Sequence, residues 1–467
     1  MKTYGKRIDD TGNVNTSAEN RERKIGIPSD ARTVLRMLNA AGFEAYVVGG
    51  FVRDSLLGNN PYDIDVTTSA TPEETESVFG GFRVIETGIR HGTVTVIVNG
   101  RPIEITTFRE DGEYGDHRHP KRVSFSKNLE DDLLRRDFTV NAMAADEYGN
   151  VIDCFGGIED LEDGVIRAVG EPEKRFSEDA LRILRALRFA AVLGFGIDGG
   201  TESAMTARKG DLRELSAERI MREISLTVTA EYADVVLRRY TDIFAAVIPE
   251  LNEMRGFDQR NRHHIYDVLE HTLQALKLQE RDPVLRFATL LHDVGKPRCF
   301  TVDEKGEGHF FGHGEVGAEI ARDVMTRLKA DSYTLETVTN LVRYHDYPLT
   351  SEKKIIKRRL NKFGEDFLLK LIKLKRADNG AKNPLYVERG LYELDEIERT
   401  LREIITDGEC FTLKSLKING HDLISMGLEG KEIGVMLERI LYEVIDGKLE
   451  NDRGEIIKFI EEAKRKT

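Results

Sequence analysis

The hydrophobic period changes once along the chain, and that change restricts the fold more than any other feature. From Pro28 to about residue 150, short apolar runs rich in β-branched residues alternate with Gly- and Asn-containing turns: AYVV (45–48), IDV (64–66), VTVIV (94–98) and IEITTF (103–108). Beyond Arg175, stretches such as SEDALRILRALRFAAVLG and SAERIMREISLTVTA place apolar residues three and four apart behind polar caps. A period of two belongs to half-buried strands and one of about 3.6 to helices. The predicted class is therefore α+β, a mixed sheet region followed by a helical remainder. A first helix carries Val34, Leu35 and Leu38 and stops at Gly42; a strand and the Gly49–Gly50 turn follow.

Length and charge narrow the function. At 467 residues the chain has room for about three domains, each with its own core. Lys and Arg total 69 against 82 Asp and Glu, a net charge of −13, so any site for a polyanion has to be a local patch. No apolar run approaches the ~20 residues that span a bilayer, and the first 25 residues read as a mobile polar leader without a signal core, which points to the cytoplasm. Cys154, Cys299 and Cys410 form no CxxC pair, so neither a disulfide framework nor a thiolate zinc site is expected.

In PYDIDVTTS, Asp63 and Asp65 flank one apolar residue, and strand periodicity points both carboxylates to one face. Such oxygen pairs suit hard divalent ions such as Mg²⁺, and two ions about 3.5–4 Å apart can stabilise attacking and leaving oxygens of a phosphoryl transfer. A solvated strand edge carries the same pattern. Upstream, in VGGFVRDSLLG, Gly49 and Gly50 permit close backbone approach and Arg53 falls on the next helical turn, where phosphate oxygens can be held. An ordinary strand-to-helix turn is the alternative.

Together, GGFVRD and YDIDVTTSATPEE resemble the signature of class II tRNA nucleotidyltransferases and bacterial poly(A) polymerases, within the polymerase-β-like nucleotidyltransferases. The resemblance continues in order through TGIRHGTVTV, EITTFREDGEYGDHRHPKRVSF, DDLLRRDFTVNAMA, EDALRILRALRFAA and ERIMRE, over roughly residues 28 to 240, and the segment 418–453 is similar to the family's tail. It implies that Asp63 and Asp65 bind catalytic Mg²⁺, with Glu104 as a further carboxylate, and that Gly49, Gly50 and Arg53 hold the triphosphate. It also implies that Arg136, Asp137 and Asn141 recognise the ribose. Glu178, Asp179 and Arg182 match the family's EDxxR pattern, which selects CTP and ATP without a template, and Arg185 recurs on the same predicted helix face. An Arg can donate to pyrimidine acceptors, and a carboxylate can accept from the exocyclic amine that cytosine and adenine share. Salt bridges along an exposed helix are the alternative for that motif. The loop 110–122, with His117, Arg118, His119 and Lys121, corresponds to the family's flexible loop and favours complete CCA addition over stopping after two cytidines, while VFGGFRVIETGIRHGTV stands where the family's poly(A) polymerases carry a basic segment and favours the tRNA enzyme. KKIIKRR (353–359) and KLIKLKR (370–376) are candidate RNA patches or balanced helix faces.

A second constellation lies downstream. LLHDVGKP places His292 and Asp293 at a helix end, His271 lies one helix earlier, and Asp378 follows in KRADNG. Two His and two Asp suit a divalent metal that activates water. The ordered set resembles the HD-domain phosphohydrolase motif, with His271, His292, Asp293 and Asp378 at its ligand positions and His313 and His345 where further ligands or phosphate contacts occur. A degenerate, structural HD domain is the alternative.

The expected organisation is a leader (1–25), a polymerase-β-like nucleotidyltransferase domain (26–150), a helical neck that selects nucleobases and binds RNA (151–255), an HD domain (256–380) and a helical tRNA-binding tail (381–467). The expected partners are tRNA, CTP and ATP, without membrane or DNA. Three other readings stay open: poly(A) polymerase, a predominantly HD phosphohydrolase, and a noncatalytic RNA-binding module.

Overall fold

The computed structural model describes residues 23–86, 88, 92–111 and 123–465. The chain forms two compact units, one ending at Tyr232 and one beginning at Ala233.

The first unit contains strands β1 (Ala45–Val48), β2 (Asp65–Thr68), β3 (Arg83–Ile85), β4 (Thr93–Val98), β5 (Arg101–Thr107), β6 (Arg109–Asp111), β7 (Val123–Phe125), β8 (Met143–Ala145) and β9 (Val151–Asp153). Seven of them make one mixed sheet in the order β3-β4-β5-β2-β1-β8-β9, and β6 pairs with β7 in a separate ribbon. Within the sheet β1 runs antiparallel to β2 with Val48 opposite Asp65, and β2 runs parallel to β5 with Asp65 opposite Glu104. The β4 pattern alternates as a one-sided strand should, burying Val94, Val96 and Val98.

Helix Ser29–Ala40 covers the sheet with Ala31, Val34, Leu35 and Leu38, the stripe expected from the sequence. Helix Pro72–Val78 starts on a capping box in which Thr71 and Glu74 satisfy each other's backbone N–H groups. The predicted strand at 64–66 is displaced: β2 begins at Asp65, so Asp63 and Ile64 form its extended approach. The alternation survives, since Ile64 is buried between two exposed aspartates.

At the sheet's other end the chain comes close to itself. Ile25 donates its N–H to the Gly149 carbonyl at 2.9 Å, and Gly149 has φ +83°. A Cβ there would lie 2.1 Å from the Ile25 carbonyl oxygen. Gly149→Ala is therefore expected to cost at least about 1–2 kcal/mol for the left-handed backbone, with the clash adding to it; urea unfolding followed by circular dichroism measures the loss.

The second predicted departure concerns EDALRILRALR. One continuous helix should carry Glu178, Arg182 and Arg185 along one face, but the helix Pro172–Glu178 ends and Leu181–Leu193 begins anew. Asp179 sits between them in an extended conformation, and its Oδ1 accepts from the Leu181 N–H at 3.0 Å. A short side chain that can satisfy a free helix-start N–H makes the break favourable. Ala180, Ile183, Leu184 and Leu187 still form the buried face.

Among the described residues the second unit is helical apart from the hairpin Thr301–Val302/Gly308–His309, and in the first unit the helices after β9 are accompanied by the short parallel pair Val165–Ile166/Gly196–Ile197. Helices Val268–Leu278, Pro283–Leu291 and Ser332–Tyr344 each start on an aspartate, Asp267, Asp282 and Asp331, whose side chain accepts a first-turn N–H. They pack with His313–Arg327 and Glu365–Gly380, and the helix Pro384–Thr406 lies along the last of these. A separate cluster that includes Leu423, Ile440, Leu441, Ile456 and Ile460 closes the C-terminal part. The basic runs are largely paired. Lys353 and Lys357 reach Glu409 and Arg358 reaches Asp446, while Lys370 pairs with Asp366, Lys373 with Glu280 and Arg376 with Glu398. Among the described residues no helix is long and apolar enough to cross a membrane.

Candidate active sites

In the first unit, β1 ends at Val48, and the next residue, Gly49, with a φ of +69°, turns the chain into helix Gly50–Leu56. The turn lies at one end of a cleft of about 590 Å³, lined by both glycines, Arg53, Asp65, Arg136, Asp137, Asn141, Asp179, Arg182 and Arg185. These ten include all but Asp63, Glu104 and Glu178 of the residues expected at a nucleotide site. A Cβ on Gly49 would stand 3.1 Å from the Arg136 guanidinium, so the missing side chain is what lets that cation approach the turn.

Asp65 keeps access to solvent at the cleft, yet its carboxyl is pushed above the ordinary range by desolvation, against the pull of Arg136 and with the help of Asp63. Glu104, its partner across β2 and β5, is pushed up by desolvation and by both aspartates. Asp65 and Glu104, each raised by desolvation and by neighbouring aspartate charge, form a site short of positive charge, and a bound divalent cation would remove the repulsion. The chemistry of this set therefore fits Mg²⁺.

The opposite wall is a chain of charge-assisted hydrogen bonds. Arg185 donates to Asp137 Oδ2 at 2.7 Å, Asn141 to Asp137 Oδ1 at 3.2 Å, and Arg53 to Asn141 Oδ1 at 2.6 Å. Burial opposes the Asp137 charge, but Arg185 and Asn141 outweigh it and hold the carboxyl below the usual range. Arg219 donates to Asp179 Oδ2 at 2.7 Å. Glu178 does not line the cleft; its Oε2 receives Arg175 at 3.0 Å and Arg182 at 2.8 Å, and the Arg182 guanidinium also donates to the carbonyls of Arg175 and Arg135. Glu178 thus orients Arg182.

Arg109, Arg188, Phe189 and Arg219 also line the cleft, and sequence reasoning missed them. Phe189 gathers three cations, with the guanidinium carbons of Arg188, Arg53 and Arg185 at 4.4, 5.2 and 5.5 Å from its ring centre. In RALRFA this Phe reads as one more apolar helix position; only the spacing of Arg185 and Arg188, one helical turn apart, hinted at more. Residues 112–122 of the expected flexible loop lie outside the described residues.

In the second unit, His271, His292, Asp293, Asp378, His313 and His345 converge although they come from five helices and their ends. His271 Nε2 is 3.0 Å from Asp378 Oδ1 and 3.6 Å from Asp293 Oδ2, and His292 Nε2 is 3.2 Å from the same Asp293 oxygen. The other oxygen, Asp293 Oδ1, faces His313 Nε2 at 3.7 Å and His345 Nε2 at 3.5 Å. His292, His313 and His345 each place Nδ1 at 2.7 Å from a main-chain carbonyl, of Thr289, Phe310 and Val342. That contact puts the proton on Nδ1 and leaves the Nε2 lone pair aimed inward, the usual orientation of a metal-binding imidazole.

The two Nε2 atoms of His313 and His345 are 3.0 Å apart. With both protons on Nδ1, two lone pairs face each other, an arrangement that a cation between them would stabilise; two nitrogens bound at ~2.1 Å and roughly a right angle have about this separation. The buried His292 Nε2 also makes no hydrogen bond. Asp293 and Asp378 are both held well below the ordinary carboxyl range despite burial, Asp293 chiefly by His292 and Lys296 and Asp378 chiefly by Lys382 and His271. Burial pushes the His271 imidazole down, and burial with Lys296 pushes His264, which sequence reasoning missed, to about 2. Burial opposes the charge of His292, but Asp293 and Asp378 outweigh it and raise its imidazole, so a divalent metal, which requires ionised carboxylates and neutral imidazoles, would displace the His292 proton. Asp293, Asp378, His313 and His345 of this cluster line a cavity of about 710 Å³, and His271 and His292 stand behind them outside its lining.

Comparison with known proteins places this geometry. Residues 45–167 match the family described as Poly A polymerase head domain, and residues 313–460 match tRNA nucleotidyltransferase domain 2, putative. The CCA-adding enzyme of Streptococcus suis is 34% identical over 437 residues, covering 92% of this chain and 96% of that protein. The CCA-adding enzyme of Lactobacillus helveticus is 53% identical over 193 residues, 41% of this chain and 48% of that protein. The crystal structure of Bacillus stearothermophilus CCA-adding enzyme in complex with CTP superposes with a TM-score of 0.72 at 29% identity, over 94% of this chain and 97% of that one. A glycine turn over paired aspartates, an arginine-lined cleft on a mixed sheet and near full-length similarity have one common explanation: the chain belongs to the CCA-adding enzymes, the tRNA nucleotidyltransferases.

Proposed function

We propose that the cleft of the first unit adds C, C and A to the tRNA 3′ end from CTP and ATP, releasing pyrophosphate at each step. The observation that carries this reading is the meeting of opposite charges at one cleft, with Asp65 lining it together with the Gly49–Gly50 turn, Glu104 opposite Asp65 in the sheet, and Arg53, Arg136, Arg182 and Arg185 also in the lining. Asp63 and Asp65, with Glu104, would hold Mg²⁺, which when bound supplies charge to lower the pKa of the terminal hydroxyl and to stabilise the transferring phosphoryl group. Gly49 and Gly50 let the triphosphate lie against the backbone, where Arg53 and Arg136 meet its oxygens. Asp137 and Asn141, braced by Arg185 and Arg53, present acceptor and donor groups to the ribose. Asp179 and Arg182 read the base edge, Asp179 accepting the exocyclic amine and Arg182 donating, with Arg219 and Glu178 fixing their orientations. Residues 26–150 would form the catalytic domain, 151–255 the neck and 381–467 the tRNA-binding tail of a cytoplasmic enzyme. Purified protein given a tRNA trimmed of its last three nucleotides and labelled CTP and ATP should add three residues and stop. A long adenosine tail, or no use of CTP, would sink the assignment.

A second activity is favoured by the cluster at the other cavity. Within residues 256–380, His271, His292, Asp378 and one oxygen of Asp293 would hold one divalent ion, and His313, His345 and the other Asp293 oxygen a second, so that the metal supplies an activated water. The reaction would be hydrolysis of a phosphomonoester or cyclic phosphate at an RNA end: the water oxygen bonds to phosphorus, the ester P–O bond breaks, and the sugar oxygen leaves as a hydroxyl with the proton. Lys296, 2.7 Å from Asp293, and Lys382, 2.9 Å from Asp378, add positive charge beside the cluster. Such a step would prepare a blocked end for nucleotide addition.

A further inference from the structure

The His- and Asp-lined cavity is much larger than a phosphate group needs, and its rim carries an aromatic surface that metal chemistry does not require. Phe311 lines it, stands two residues before His313 and is 79% exposed, one of the most exposed large apolar side chains described. Its ring lies nearly parallel to that of His309, with centres 5.4 Å apart and planes 10° apart. His309 is itself held in place: it belongs to the Thr301–Val302/Gly308–His309 hairpin and its Nε2 lies 3.1 Å from Asp303 Oδ2. Arg262, Arg343, Lys296 and Lys382 line the same cavity, as do Glu307, Glu315 and Asp346; Arg343 is paired with Glu315 and the two lysines with Asp293 and Asp378, so cations next to the His and Asp cluster and a flat apolar face share one cavity. About 710 Å³ falls within the roughly 300–1,000 Å³ of small-ligand sites.

We propose that Phe311 is a base-stacking platform, and that this cavity takes nucleoside phosphates, with the phosphate over the His and Asp cluster and the base on the Phe311 ring. An exposed ring next to a site for phosphate groups gains from covering its face, and every nucleobase offers a π surface for that. The inference rests on the hydrolase reading of the same site and adds to it a preference for esters that carry a base.

The test compares the full-length protein with Phe311→Ala and Phe311→Trp, with Mg²⁺, Mn²⁺ and Zn²⁺ supplied in turn. Phosphate release is measured from a nucleoside 3′-phosphate, an oligoribonucleotide with a 3′-terminal phosphate, and glycerol 2-phosphate, which has no base. Phe311→Ala should lower kcat/KM about tenfold to a hundredfold on one or both base-bearing esters, mainly through KM, and leave glycerol phosphate unchanged; Phe311→Trp should restore it. Loss on the oligonucleotide alone identifies RNA ends as the ligand, and loss on both includes free nucleotides. Equal rates for Phe311→Ala and the unaltered protein, or an equal fall on all three esters, would overturn the platform and leave the hydrolase reading standing. No hydrolysis of any ester by the unaltered protein would overturn both.

Discussion

Asp65→Asn is expected to lower kcat for CTP incorporation by about a thousandfold or more while raising the thermal midpoint of the metal-free protein. The first effect follows from the charge that a metal ligand supplies where charge develops in phosphoryl transfer, several kcal/mol of barrier. The second follows from the electrostatics of the empty carboxylate set. Asp65 and Glu104 have raised pKa values in the folded state, so the native protein binds more protons than the unfolded chain as pH rises through the carboxyl range. Stability contributed by these groups is present at low pH and declines as pH climbs from their unfolded values through their raised folded values. Removing one charge relieves this penalty at neutral pH, and the difference between variant and parent should shrink towards pH 4. Calorimetry at several pH values, with and without Mg²⁺, separates the effects: Mg²⁺ should raise the midpoint of the parent and much less that of the variant. Undiminished CTP incorporation by Asp65→Asn would remove the metal assignment.

The largest effect in the second unit is expected at Asp293, because its two oxygens face the two histidine sets. Asp293→Ala should abolish bound metal after dialysis and reduce phosphate release by about a thousandfold or more, with CCA addition by the other site retained. The substitution also strips Lys296, itself buried, of its partner at 2.7 Å, a loss that costs about 3–5 kcal/mol for a buried pair. His345→Gln provides the companion variant. It removes one inward Nε2 without touching that ion pair, and it should lower the metal content measured by elemental analysis. Full metal content in both folded variants would rule out the cluster as a metal site.

Much of the first unit was legible because strand and helix periods are local properties. The runs at 45–48, 94–98 and 103–108 became β1, β4 and β5 almost as read, and the stripe Val34, Leu35, Leu38 became a buried helix face. The EDALR break was not legible, since uninterrupted helical spacing masks an Asp whose carboxylate satisfies the Leu181 N–H and stops the preceding turn. Arg219 and Arg188 escaped notice for a different reason: each reaches the cleft from a helix on which it reads as an ordinary surface cation. For the basic runs at 353–359 and 370–376 the sequence left RNA patch and balanced helix face both open, because the acids that pair with much of them, Glu409, Asp446 and Glu280, lie far off in sequence.

From residue types and their order came the α+β class and the Asp63/Asp65 pair, which depend on short spacings that covalent geometry makes local, while the nucleotide-transfer chemistry and the His271–Asp378 set were legible through the order of motifs that resemble known families. Tertiary packing alone decided that Glu104 stands beside Asp65, that Glu178 braces Arg182 rather than facing the cleft, and that Asp293 turns one oxygen to each histidine set. Those relations mostly join groups tens of residues apart or depend on a helix break, and their side-chain directions are set by strand register and helix packing, which no local spacing encodes.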